Sequence, residues 1–231
     1  MIRLLLHGAS GRMGKRIASR VAGRPGEFSL VGLVDARNPG ECEAQLDAHP
    51  DAVVIDFSQP AAMPELLRIL LRRPHPLVSG TTGLSEADRA GLARLAESAP
   101  VISAPNMGLG IPLLARLVRE AARLWPSADT AIVETHHRHK KDQPSGTAIR
   151  LAEAIGRPTP MHSLRIGEVI GEHQVELAFG DERLTLTHQA LSRDVFADGA
   201  LAAVRFAAGA RPGLHDMEAV LTGEGLKELM T

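Results

Sequence analysis

IRLLLHGASGRMGKRIASRVA, residues 2–22, decides the fold. It begins as an apolar run of strand length and ends with apolar residues at helical spacing, and Gly8, Gly11 and Gly14 mark the passage between the two. A strand that turns through glycines into a helix opens a βαβ unit. Working outward, the alternation continues: strands are expected over 2–7, 28–35, 52–57, 76–79 and 101–103, and helices over 12–22, 61–71 and 85–97. Parallel strands are covered on both faces, which accounts for runs such as AVVIDF over 52–57. Ser85 followed by Asp88 reads as a helix N-cap with an early acidic residue, both favourable where backbone N–H groups lack acceptors.

Beyond residue 107 the pattern changes. A helix over 111–125 is stopped by Pro126. Strands follow over 131–135, 164–166, 175–179 and 184–188, with a helix over 146–155 and final helices over 200–208 and 216–221. Strands joined mainly by turns after a parallel βαβ series signal a second domain built on a mixed, largely antiparallel sheet, α+β in class.

A chain of 231 residues suits one large or two small domains. The formal net charge of −1 gives no global field toward nucleic acid or an anionic membrane, and neither partner is expected. No stretch of about 18 apolar residues suggests a membrane span. The single cysteine, Cys42, cannot pair within the chain, and with no secretory leader visible a reducing cytoplasm is expected, with Cys42 as a free surface thiol.

The glycine loop carries chemistry as well as topology. Gly8-Ala9-Ser10-Gly11-Arg12-Met13-Gly14 departs from the usual dinucleotide spacing, yet it places glycine-lined backbone and a helix start where a pyrophosphate would sit. Asp35 follows about 20 residues later at a strand end, where a carboxylate accepts hydrogen bonds from ribose hydroxyls. Asp35 repels a ribose phosphate and favours NADH, whereas Arg12 and Arg37 offer guanidinium groups to NADPH. A tight turn with close packing is the competing structural reading. Gly80, Thr81 and Thr82, after the fourth strand, and Ala104, Pro105, Asn106 and Met107, after the fifth, stand at the sheet edge where a nicotinamide would lie, or form plain turns.

In the second half, residues 136–141 hold three histidines, an arginine and two lysines, a costly concentration of like charge unless an anion binds there. A small polyacid fits. Ser145, Gly146 and Thr147 read as a helix start, whose N–H groups and hydroxyls form a carboxylate site, and Lys140 adds a compact charge or a proton. His136 or His137 is the natural general acid for a reduction that needs a hydride and a proton, and spacing does not choose between them. A solvated basic loop, a nucleic-acid patch and a zinc site from His136, His137 and His139 are the other readings. The last is disfavoured because adjacent strand residues point to opposite faces, and no metal is expected.

GASGRMG (8–14), SGTTG (79–83), APN (104–106), HHRHKKDQPSGTA (136–148), IGEVIGEH (166–173) and LTHQALSRDVFADGA (186–200) together resemble the dihydrodipicolinate reductase family, also called 4-hydroxy-tetrahydrodipicolinate reductase. The resemblance implies a Rossmann-like nucleotide domain over 1–107 and 193–231, a substrate-binding and oligomerisation domain over 108–192, and a homotetramer. It implies reduction by NADH or NADPH of a small cyclic dicarboxylate on the route to diaminopimelate and lysine. His136 is then the proton donor and Lys140 its catalytic companion, with His137, Ser145, Gly146 and Thr147 on the substrate. Residues 8–13, Asp35, residues 80–82 and residues 104–107 hold the cofactor.

The sequence departs from that family pattern in three places. The 35–51 span is short, Ala36 stands where a basic residue is common, and 107–112 reads MGLGIP in place of the usual serine and Gly-Val-Asn run. Another two-domain dehydrogenase, or a non-catalytic nicotinamide-binding regulator, are the alternative functions.

Overall fold

The computed structural model describes residues 1–35, 38 and 40–223. Two compact units make up the chain, one of Met1–Met107 joined by the segment from Phe196 onward, the other of Gly108–Val195. In chain order the first unit opens with β1 (Ile2–His7), α1 (Arg12–Ala22), β2 (Phe28–Val34), α2 (Glu41–Ala48), β3 (Val53–Asp56), α3 (Met63–Leu70), β4 (Leu77–Ser79), α4 (Glu86–Ala96) and β5 (Pro100–Ser103). There follow α5 (Gly110–Leu124), β6 (Asp129–His136), α6 (Gly146–Ile155), β7 (Met161–Arg165), β8 (Glu172–Phe179) and β9 (Glu182–Gln189). The chain then forms α7 (Asp194–Gly209), β10 (Gly213–His215) and α8 (Met217–Thr222).

The first unit is a six-stranded sheet in the order β10-β5-β4-β3-β1-β2, every pairing parallel. Leu4, Leu5 and Leu6 are each fully buried although successive side chains point to opposite faces, so both faces of β1 are covered. Each such side chain contributes about 1.5–3 kcal/mol by leaving water. Helix α1 buries Gly14, Ile17 and Val21, one face at helical spacing. Ser85 and Asp88 form the expected cap in reciprocal form: Asp88 N–H donates to Ser85 Oγ (3.1 Å) and Ser85 N–H to Asp88 Oδ2 (2.9 Å).

Three expectations for this unit need correction. Helix α2 was not foreseen, because its apolar stripe is only Cys42 and Leu46. Strand β10 has three residues at the sheet edge, too few for a period to register. Cys42 is buried at 2 % exposure, not a surface thiol, and burial together with the charges of Glu43, Glu65 and Asp56 pushes its pKa up to about 11. A thiol so placed is protonated and unreactive at neutral pH.

The second unit is a four-stranded sheet in the order β7-β6-β8-β9, with β6 and β7 parallel and the other pairs antiparallel. One face of β6 and β8 buries Ile132, Val175 and Leu177 against Leu114 and Val118 of α5 and Leu151 and Ile155 of α6. On the opposite face Val133, Gln174 and Glu176 are half-buried. Strand β7 begins three residues before the expected 164–166 segment, because its exposed Met161 and His162 give no apolar alternation to read. No helix among the described residues is long and apolar enough to cross a membrane.

Candidate functional site

At the carboxyl edge of the parallel sheet lies a cavity of about 740 Å³. Gly8, Ser10, Gly11, Arg12, Met13, Asp35, Gly80, Thr81 and Thr82 all line it, so most of the expected cofactor residues share one space. Ala9 and residues 104–107 are not in its lining, and Ala104 and Met107 are buried. Ala36 and Arg37 lie outside the described residues.

The three loop glycines have separable roles. Gly8 has φ +84°, and a Cβ there would stand 2.5 Å from the Phe57 carbonyl oxygen, so this turn admits only glycine. A Cβ on Gly14 would stand 2.2 Å from the Gly8 carbonyl oxygen, which fixes close packing of α1 on its own loop. Gly11 is the N-cap of α1 and faces the cavity with the helix's first turn behind it. Turn, close approach and helix packing are the three demands that a dinucleotide loop makes of its glycines, met here at altered spacing. The helix start turns unpaired N–H groups and a positive dipole end toward an anion in the cavity. The residues present therefore fit a dinucleotide.

The second cluster is built by strand register. Period-two alternation along β6 buries Ile132, Glu134 and His136 on one face, and the strand ends at His136. The register sets Glu134 opposite His173 of β8 and His136 beside Arg165 of β7. Arg165 donates to both oxygens of Glu134, Nη2 to Oε1 at 2.7 Å and Nη1 to Oε2 at 3.0 Å. The same carboxylate meets Nδ1 of His136 and accepts from the Ser145 N–H at 3.3 Å. Burial raises the Glu134 pKa, but the hydrogen bonds from Arg165, Ser163 and His136 outweigh it and hold the carboxyl at about 2. Glu134 is thus an anion that fixes the His136 ring by its Nδ1–H, leaving Nε2 as the nitrogen for chemistry.

Ser145 caps α6, its Oγ accepting from the Ala148 N–H at 3.2 Å. That leaves the hydroxyl proton for Nε2 of His173 at 3.2 Å. His173 is 2 % exposed, and its Nδ1 has no hydrogen-bond partner. Burial, with the neighbouring His136 charge, lowers its pKa to about 3, so it stays neutral. Burial also lowers the His136 pKa, with the Glu134 contact opposing the shift. A Cβ built on Gly171 would stand 3.1 Å from His136 Nε2, so a glycine keeps that nitrogen's approach open.

The basic cluster is less unbalanced than its sequence suggests. Lys140 Nζ pairs with Asp142 at 2.9 Å, and Arg138 lies 3.7 Å from Glu168. His137 is half-buried with Nδ1 unpartnered, its ring 6.3 Å from that of His139. Register brings together His136, Ser145 and, unforeseen, Glu134, His173 and Arg165. Glu134, His136 and His173 offer ligand atoms within 4.8 Å of one another. The Arg165 guanidinium already neutralises that carboxylate, so a cation there would meet like charge. Of the trio His136, His137 and His139, only His136 lies on β6; the other two follow the strand.

Comparison with known proteins places these features in context. Residues 2–107 match the family model "Dihydrodipicolinate reductase, N-terminus", and residues 110–221 match "Dihydrodipicolinate reductase, C-terminus". The chain is 42 % identical to the 4-hydroxy-tetrahydrodipicolinate reductase of Xanthomonas campestris pv. campestris, over 93 % of this chain and 95 % of that one. It is 38 % identical to the protein of the same name from Caldanaerobacter subterraneus subsp. tengcongensis, over 94 % and 97 %. In fold it resembles a dipicolinate-bound dihydrodipicolinate reductase from Paenisporosarcina sp. TG-14, with a TM-score of 0.79 at 24 % identity, covering 94 % of this chain and 97 % of that one.

Proposed function

The chain belongs to the dihydrodipicolinate reductase family, and on that footing we propose that it is a nicotinamide-dependent oxidoreductase that reduces 4-hydroxy-tetrahydrodipicolinate in the diaminopimelate and lysine route. One observation carries the reading: a histidine fixed by a buried, arginine-neutralised carboxylate stands beside a serine-capped helix N-terminus. A proton donor next to an anion site is what reduction of a cyclic dicarboxylate requires.

When bound, the reduced nicotinamide supplies a hydride to the ring formed by loss of water. The chain does the rest. Gly146 and Thr147 offer first-turn N–H groups, and Ser145, His137 and Lys140 offer side chains, to the substrate carboxylates. His136 delivers a proton from Nε2 to the neighbouring ring carbon while Glu134 stabilises the imidazolium, and Lys140 acts as its companion. Residues 8–13, Asp35, residues 80–82 and residues 104–107 hold the dinucleotide, making 1–107 with 193–231 the nucleotide domain and 108–192 the substrate and oligomerisation domain.

Asp35 in the cavity lining favours NADH. A homotetramer is the expected assembly, and the half-buried strand face carrying Val133 and Gln174 is available for it. A lone cysteine that cannot pair within the chain agrees with a reducing cytoplasm.

The test is the absorbance loss of NADH and, side by side, NADPH in the presence of enzymatically generated 4-hydroxy-tetrahydrodipicolinate. Turnover faster with NADH, and a relative gain for NADPH in Asp35→Ala, is the expected result. Intact cofactor binding without turnover would turn the reading toward another dehydrogenase.

A further inference from the structure

The strand order reverses between β1 and β3, where the chain leaves β1 for β2 on one side and later returns to β3 on the other. Ligands of open α/β sheets bind in the crevice at such a switch point. Two polar residues bridge it. His7 and Asp56 are register partners at the ends of these strands, and Asp56 is in turn the partner of Ser79 on β4.

Asp56 is fully buried and fully engaged. Its Oδ1 meets Nδ1 of His7 at 2.8 Å and the Ser58 N–H at 3.2 Å, and its Oδ2 accepts from the hydroxyls of Ser79 at 2.8 Å and Thr81 at 2.7 Å. Isolated burial of a carboxylate costs several kcal/mol, so four donors are what make this one tolerable. Nothing in the glycine-loop account needs that arrangement. Its outward result is specific, because His7 and Thr81 both line the cavity. In the tautomer that donates from Nδ1 to the carboxylate, Nε2 carries the ring's lone pair, and the His7 side chain retains 10 % of its surface.

We propose that His7, oriented by Asp56, is a dinucleotide-positioning residue whose Nε2 accepts a hydrogen bond from a hydroxyl of the nicotinamide ribose. The inference rests on the cofactor reading above. Across the sheet edge Asp35 follows β2, His7 ends β1, and Thr81 follows β4. A dinucleotide with its adenosine ribose on Asp35 and its pyrophosphate at the start of α1 passes its second ribose across His7 on the way to Thr81. A lone pair suits a hydroxyl donor there.

Two amide replacements separate the two ring nitrogens. The amide of Asn reaches the place of Nδ1 and that of Gln the place of Nε2, so His7→Asn keeps the Asp56 contact and His7→Gln keeps the outward acceptor. Fluorescence titration of the full chain should show NADH bound about 10-fold more weakly by His7→Asn, the size of one hydrogen bond, and within about 3-fold of the unaltered protein by His7→Gln. ADP, which lacks the second ribose, should bind His7→Asn as it binds the unaltered protein. On the unaltered protein, an NADH analogue without nicotinamide-ribose hydroxyls should lose the same 10-fold, a measurement independent of how the variants fold. Equal binding of NADH and that analogue, or equal losses of NADH and ADP in His7→Asn, overturns the proposal while leaving the cofactor reading intact. Failure of the unaltered protein to bind either NADH or NADPH overturns both.

Discussion

Arg165 grips Glu134 with two parallel hydrogen bonds, 2.7 and 3.0 Å long, from the strand next to the one that carries His136. The guanidinium keeps the carboxylate behind the His136 ring ionised. A buried carboxylate without such a partner would take up a proton and lose its hold on the imidazole N–H. The chain of control therefore runs from Arg165 through Glu134 to His136.

Glu134→Gln should lower kcat by about 10- to 100-fold with a smaller change in KM, because the neutral amide orients the ring but stabilises the imidazolium poorly. It should also lower Tm, since removing one partner of a buried ion pair costs about 3–5 kcal/mol. Steady-state kinetics and thermal melting check both, and a kcat equal to that of the unaltered protein would remove Glu134 from its role.

His136→Gln should lower turnover by about 10² to 10⁴ fold with NADH binding kept. The pH profile carries more detail. A general acid works only while protonated, so kcat/KM should fall as pH rises through the free-protein His136 value, which burial sets below 6.5. A bound dianion favours the imidazolium, so the matching fall in kcat should come at higher pH. A kcat fall at lower pH than that of kcat/KM contradicts this assignment.

Acid should destabilise the fold in two stages. His173 has an ordinary value of 6.5 and a folded value of about 3, so the unfolded chain binds a proton that the folded chain refuses, and stability falls as pH drops below 6.5. Glu134, ordinary value 4.5 and folded value about 2, adds a further loss below 4.5. Tm measured against pH should show both, and His173→Gln should flatten the upper stage. An unchanged slope above 4.5 in that variant would exclude His173 as its source.

Gly171→Ala should reduce kcat/KM by about 10-fold or more with little effect on dinucleotide affinity, since its methyl group would stand 3.1 Å from His136 Nε2, on the side from which the proposed mechanism brings the substrate ring. Kinetics with a full cofactor titration decide this. Equal losses in kcat/KM and cofactor affinity would point to a general distortion instead.

What could be read from the amino-acid order was local. The strand, glycine loop and helix of residues 2–22, the Ser85 and Asp88 cap, and the Ser145 helix start each depend on neighbours a few residues apart, and the structure carries them as expected. The basic cluster stood out for the same reason. What could not be read was cross-strand register. Glu134 looked like one more strand residue, and only the pairing of β6 with β7 and β8 brings Arg165 and His173 to it. Asp56 passed as the end of an apolar run, since its partners His7, Ser79 and Thr81 are far away in sequence. Cys42 was misread because an eight-residue helix with two buried positions leaves almost no period.

The most direct measurement is a crystal structure of the full chain with NADH and pyridine-2,6-dicarboxylate. One carboxylate of the diacid should lie on the N–H groups of Gly146 and Thr147 and the other near Lys140 and His137, with a ring carbon within about 3.5 Å of His136 Nε2. A diacid bound elsewhere, or one whose ring is out of reach of His136 while NADH occupies the Gly11 cavity, would contradict the account.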